Sequence, residues 1–201
     1  VAPGTRGPYR KSDETRAAIL DRATALIAEL GPERVSLRRI ADDLGISHPA
    51  LTYYFASRDE LLVAVLDEGE RRAKADVGEV GTVQRMRGYS RRNEESPGTI
   101  QLYLSLAARA LNDDGVVRAH IAERFERVRR NYAERIVAEQ ADGAIRRDID
   151  SNAIAALLVA AMDGLQLQHL LNPNLDQESS LAILEEILQT PEPPTRTAVT
   201  P

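Results

Sequence analysis

The sequence predicts an all-α fold of about nine helices, and three observations carry that prediction. Apolar residues recur every three or four positions, and no alternating stretch long enough to read as a strand interrupts them. Six of the ten prolines fall in residues 1–8 and 190–201, which leaves only Pro32, Pro49, Pro97 and Pro173 to punctuate the body. Helix-starting and helix-stopping residues then stand at the ends of the periodic segments. With 201 residues, 43% of them hydrophobic, the chain is long enough for one globular unit, or for one domain and a small module.

The elements follow in order. Residues 1–11 read as a flexible basic tail. A first helix is expected from about Asp13 to Leu30, with Ile19, Ala23, Leu26, Ile27 and Leu30 on one stripe and Gly31-Pro32 ending it. Ser36 caps a short helix whose Leu37, Ile40, Ala41 and Leu44 share a face, and Gly45 stops it. Ser47 caps a third helix two or three residues later, with Pro49 tolerated in its first turn. Ser57 and Glu60 form an S-x-x-E capping box for a fourth, carrying Leu61, Leu62, Val65 and Leu66. Residues 78–96, rich in Gly, Arg, Asn and Glu, read as a short helix in loose loops. Further helices are expected over about 99–111, 116–141, 153–171 and 177–189, with the connector DGAIRRDID leading to a cap at Asp150 or Ser151 and a Pro-rich tail, expected disordered, from residue 190. The segment 153–171 is apolar on nearly every side. Its uninterrupted apolar run, 153–162, falls short of the roughly 20 residues a bilayer requires, so it is read as a helix covered on both faces, by its own core and by a second subunit.

Residues 36–55, SLRRIADDLGISHPALTYYF, place two short helices around a tight glycine turn. That is the pattern of a helix-turn-helix, whose second helix can enter the major groove of DNA. At about 100° per residue, Leu51 and Phe55 lie within about 40° of each other and point inward. Pro49, Ala50 and Tyr53 then face outward, with His48 and Thr52 on one flank and Tyr54 on the other. The run Tyr53-Tyr54-Phe55 also holds three of only eight aromatics in the chain. The same geometry occurs in proteins that never touch DNA.

The stretch resembles the DNA-binding domain of the TetR family of bacterial transcriptional regulators. The resemblance covers residues 12–66 most densely, through Leu51-Thr52-Tyr53-Tyr54-Phe55 followed by Ser57-Arg58-Asp59-Glu60-Leu61-Leu62. Thr52 stands where the family usually has tyrosine, and Arg58 where it has lysine. The resemblance implies an N-terminal three-helix DNA-binding domain over 12–58 and a helical effector-binding and dimerisation domain over 59–189. Ser36 and Arg38 would meet a phosphate or a base edge. His48, Pro49, Ala50, Thr52 and Tyr53 would face the groove, and Tyr54 and Arg58 would hold phosphates. Arg6, Arg10 and Lys11 either reach the DNA or merely solubilise the tail.

For the C-terminal part, the resemblance implies a homodimer, with Leu157, Leu158, Met162, Leu165, Leu184 and Leu188 at the interface or in the core beside it. It also implies a small-molecule effector, with Met86, Tyr89, Tyr103, Arg109, Phe125, Tyr132 and Met162 as candidates to line its pocket or as ordinary packing residues. Arg109 would attract an anionic effector or pair with a carboxylate. The expected function is a ligand-responsive repressor on a palindromic operator of double-stranded DNA, cytoplasmic, without membrane partner, cofactor or metal. An enzyme is not expected: His48, His120 and His169 are scattered, and no H-E-x-x-H, P-loop, G-x-S-x-G or dinucleotide glycine pattern occurs. The absence of cysteine removes disulfides and thiolate chemistry, and the N-terminus shows no apolar stretch of the kind an export signal needs. The net charge of −5 does not oppose a DNA partner. Residues 1–58 carry nine Lys/Arg against seven Asp/Glu, and residues 59–201 carry seventeen against twenty-four, so the basic balance is local.

Overall fold

A computed structural model describes residues 8–78, 80–112 and 114–189. Among them lie nine α-helices and one 3-10 turn: α1 (Pro8–Leu30), η1 (Pro32–Arg34), α2 (Leu37–Leu44), α3 (His48–Tyr54), α4 (Arg58–Val77), α5 (Thr82–Glu95), α6 (Pro97–Ala110), α7 (Val116–Ala141), α8 (Ser151–Leu171) and α9 (Gln177–Leu188). The expected all-α class holds. No strand occurs among the described residues, only a single antiparallel bridge between Ile145 and Gln189.

The chain forms two compact units. The first takes the described residues up to Gly78 together with Arg91–Arg124; the second takes the remainder, so α5 and α7 each contribute to both. In the first unit α1 packs on α2, α4 and α6. Its stripe of Ile19, Ala23, Leu26 and Ile27 is buried, as are Ile40, Leu51, Phe55, Leu61, Leu62, Leu102 and Leu106. The approach of α6 to α1 is tight at Gly98, where a Cβ would stand 3.1 Å from the Ala28 Cα. In the second unit Val83, Met86, Ala133, Ile136, Ile145, Ile154, Leu158, Met162, Leu181 and Leu188 form one core.

Two boundaries differ from the sequence reading. Helix α1 begins at Pro8, because proline at the first helical position has no amide to leave unpaired and a preset φ, so residues 8–11 are helical and not tail. The stretch expected to be loose, 78–96, contains the 14-residue helix α5. Residues distant in sequence supply its caps and clamps. Glu139 of α7 accepts from both the backbone N and the Oγ1 of Thr82 at 2.8 and 2.7 Å, Arg135 bonds the Val80 carbonyl, and Arg87 pairs with Glu178 and Glu185 of α9. The Pro-rich tail from 190 and Arg6 lie outside the described residues.

Candidate nucleic-acid interface

The α2–α3 pair is built from local signals. Ser36 caps α2 by accepting from the Arg39 amide at 3.2 Å. Gly45 ends α2 in the left-handed conformation, φ 64 and ψ 29, where an L side chain would be strained, and the Ile46 amide closes the turn on the Ala41 carbonyl at 3.0 Å. Ser47 then caps α3 through the Ala50 amide at 3.2 Å. Three residues thus separate two helices whose inner faces meet in Ile40, Ala41 and Leu51, all buried. Phe55, at the C-cap of α3, is buried with the Arg16 guanidinium over its ring, 5.2 Å from the centroid. Arg22 of α1 holds α2 from behind through Asp43 at 2.8 Å.

This core orients the outer face as the periodicity predicts. His48, Pro49 and Ala50 are exposed, and Tyr53 is 83% exposed. Tyr54, half-buried, stacks edge-on against Tyr53 with ring centroids 5.3 Å apart. Thr52 turns its Oγ1 back onto the His48 and Pro49 carbonyls, donating at 3.2 and 3.0 Å. Ser36 and Arg38 are exposed beside this face at the start of α2. Arg58 is different. The guanidinium expected to meet phosphate donates instead to the Val35 and Pro32 carbonyls at 2.8 and 2.7 Å. The capping box at Ser57 is present, with the Glu60 amide bonded to the Ser57 Oγ at 3.1 Å, and the Glu60 carboxylate reaches back to the Ala56 amide at 3.0 Å.

The candidate effector residues are divided between the two units. Met86 and Met162 belong to the core of the second unit, Tyr89 and Tyr132 pack against that core, and Phe125 is half-buried in the same unit. Tyr103 and Arg109 belong to the first unit, where Arg124 lies 4.1 Å from the Tyr103 ring centroid and Arg109 pairs with Asp59 at 2.8 Å. Of the two roles open to Arg109, the carboxylate pair is the one formed. The second unit carries a cleft of about 580 Å³ lined by Glu126, Arg129, Arg130, Ala133, Glu134, Val137, Ser151, Asn152 and Ala156, none of which the sequence reading placed in an effector pocket.

The candidate dimer residues divide in the same way. Leu158, Met162 and Leu188 are buried in the second unit's own core, and Leu165 and Leu184 pack against it. Leu157 is 68% exposed, joined by Leu167 and Leu171 on α8 and by Ile183 and Ile187 on α9, four apolar residues the sequence reading did not assign to the interface. Only a third of the apolar stretch of α8 is buried, so the helix keeps a bare apolar side. His169 faces the Leu175 carbonyl at 3.4 Å, and no metal-ligating cluster occurs among the described residues.

A short helix pair with a left-handed glycine turn, a packed inner face and a bare outer one is a helix-turn-helix, the motif that many DNA-binding regulators share. Residues 19–65 match the model of bacterial regulatory proteins of the tetR family, and residues 84–190 match that of the BetI-type transcriptional repressor, C-terminal. The chain belongs to the TetR family of transcriptional regulators, which are DNA-binding proteins and not enzymes. It is 26% identical to the HTH-type transcriptional repressor Rv1474c of Mycobacterium tuberculosis over 150 residues, 75% of this chain and 79% of that one. Over 55 residues, 27% of this chain and 29% of that one, it is 44% identical to the repressor Rv3405c of the same organism. Among solved structures, a TetR-family regulator from Rhodococcus sp. superposes with a TM-score of 0.69 at 26% identity, over 89% of this chain and all of that one. The multidrug binding protein EbrR, complexed with imidazole, superposes with a TM-score of 0.67 at 26% identity, over 96% of this chain and all of that one.

Proposed function

We propose that the protein is a homodimeric repressor that binds a palindromic operator through α2 and α3 and is released by a small-molecule effector. The observation that carries this reading is the bare outer face of α3. The burial of Leu51 and Phe55 turns His48, Pro49, Ala50 and Tyr53 outward, where they are exposed among the described residues, with Thr52 half-buried beside them. Arg38 and the capped start of α2 approach a phosphate, and Tyr54 sets the docking register from the flank. The apolar residues Leu157, Leu167, Leu171, Ile183 and Ile187 give α8 and α9 a surface that a second copy would cover, placing two α3 helices about one DNA turn apart, roughly 34 Å, or a multiple of it.

In this proposal residues 12–58 bind DNA and 59–189 bind the effector and dimerise. The first packing unit extends further, carrying 91–124 as support for the DNA-reading helices. The imidazole held by EbrR supports an effector role for the second unit. Met86, Tyr89, Phe125, Tyr132 and Met162 are the residues of the original set that remain available to it. An effector acts by binding more tightly to the conformation in which the α3 helices are wrongly spaced, and can weaken operator binding only by that differential affinity. Work on chromosomal DNA places the protein in the cytoplasm.

Selection of bound sequences from a random duplex library tests the reading. A palindrome whose half-sites are separated by about one helical turn or a multiple is expected. Absence of any enriched sequence would overturn DNA reading, and enrichment of a single unrepeated half-site would overturn the dimer.

A further inference from the structure

Arg58 stands at the first position of α4, where a cation is expected to reach DNA, yet its fork is turned to the protein. Nε donates to the Val35 carbonyl and Nη2 to the Pro32 carbonyl, at 2.8 and 2.7 Å. These two carbonyls bracket the segment that leads into the Ser36 cap of α2. The other bonds of that segment are long: the Arg34 and Val35 amides reach the Gly31 and Pro32 carbonyls only at 3.3 Å each. Hydrogen bonds from a charged donor are the stronger kind, so Arg58 is the principal polar tie on the turn. Its guanidinium also lies 3.6 Å from Glu33, which accepts from the Ser105 Oγ of α6 at 2.5 Å. One helical turn along α6, Arg109 pairs with Asp59, the neighbour of Arg58, at 2.8 Å. The turn before α2 and the start of α4 are therefore held from one side by a single face of α6.

We infer that Arg58 is a positioning residue for DNA binding and not a phosphate ligand: it fixes the turn from Pro32 to Ser36 so that Arg38, in the first turn of α2, meets the duplex. The inference rests on the α2 contact proposed above. Lysine distinguishes the two roles, because an ammonium serves a phosphate as a point charge but lacks the planar fork that spans two fixed carbonyls.

The test measures affinity for the duplex that the wild-type protein selects, well below each variant's melting temperature, for Arg58→Lys, Arg58→Ala, Arg38→Ala and the double variants. Arg58→Lys is expected to weaken binding on the order of tenfold, nearly as much as Arg58→Ala. In the Arg38→Ala background Arg58→Lys is expected to cost little more, because the contact it positions is already gone. Full affinity in Arg58→Lys would overturn the inference in favour of a direct phosphate contact. An equal cost in both backgrounds would also overturn it, since that is the behaviour of independent phosphate contacts or of a general structural defect. Unchanged affinity in Arg38→Ala alone would remove the α2 contact and the inference with it, while leaving the α3 reading and the palindrome standing.

Discussion

Helices α2 and α5 are both polar and both begin on a capped amide, but the caps come from opposite directions. The cap of α2 is Ser36, the residue immediately before it; that of α5 is Glu139, 57 positions away on α7. The first helix carries its start, its stop at Gly45 and its buried face within ten residues. The second is clamped from other helices: Glu139 on Thr82, Arg135 on the Val80 carbonyl just before it, and Glu178 and Glu185 on Arg87. A helix defined locally is rigid enough to aim side chains at a ligand, whereas one defined by remote polar contacts is the element that a change in its surroundings can loosen.

The largest expected effect strikes the locally defined region. Leu51 is the one fully buried side chain of the seven-residue α3, so Leu51→Ala should cost about 3 kcal/mol and abolish operator binding, seen as a lowered urea midpoint and lost duplex affinity. A cost below about 1 kcal/mol, in the range of exposed substitutions, would mean that α3 is held by something other than its core contact.

Next comes the remote cap. Glu139→Ala leaves two buried Thr82 donors without their acceptor and should cost about 1–2 kcal/mol, with amide exchange accelerated in α5 and unchanged in α2. Ser36→Ala should do the reverse at about 1 kcal/mol. If both variants accelerated both helices equally, the local and remote distinction would fail.

The smallest effect belongs to α4. The hydrogen bond from Arg71, opposed by burial and supported by a second bond from Arg72, holds the Glu68 carboxyl down to about 2. A carboxyl lowered in the folded state adds stability that is complete above its unfolded value of 4.5 and is lost as pH falls toward 2. Glu68→Gln should therefore cost about 1 kcal/mol at pH 7, discounted because both arginines are exposed, and the difference from wild type should vanish near pH 2. A pH-independent difference would show that the carboxylate charge is not responsible.

What the sequence revealed follows the same division. Periodicity oriented Leu51 and Phe55 inward and Tyr53 outward, and single-residue signals at Ser36, Gly45, Ser47 and Asp150 placed helix ends. It misread α5, whose stabilising partners lie on other helices. It held no sign of the carbonyls that Arg58 bonds, which precede it by 23 and 26 residues. On α8 an apolar surface all the way round has no phase, so the buried Leu158 and the bare Leu157 were indistinguishable until packing chose between them. With that phase fixed, the spacing of Leu157, Leu167 and Leu171 falls on one face.

The central claim, that the outer face of α3 reads DNA, is tested most directly at Tyr53. Its side chain is 83% exposed and has no core to support, so Tyr53→Ala should leave the melting temperature within experimental scatter of wild type. Operator affinity measured on that variant should fall on the order of tenfold or more. Wild-type affinity in a folded Tyr53→Ala protein would contradict the account.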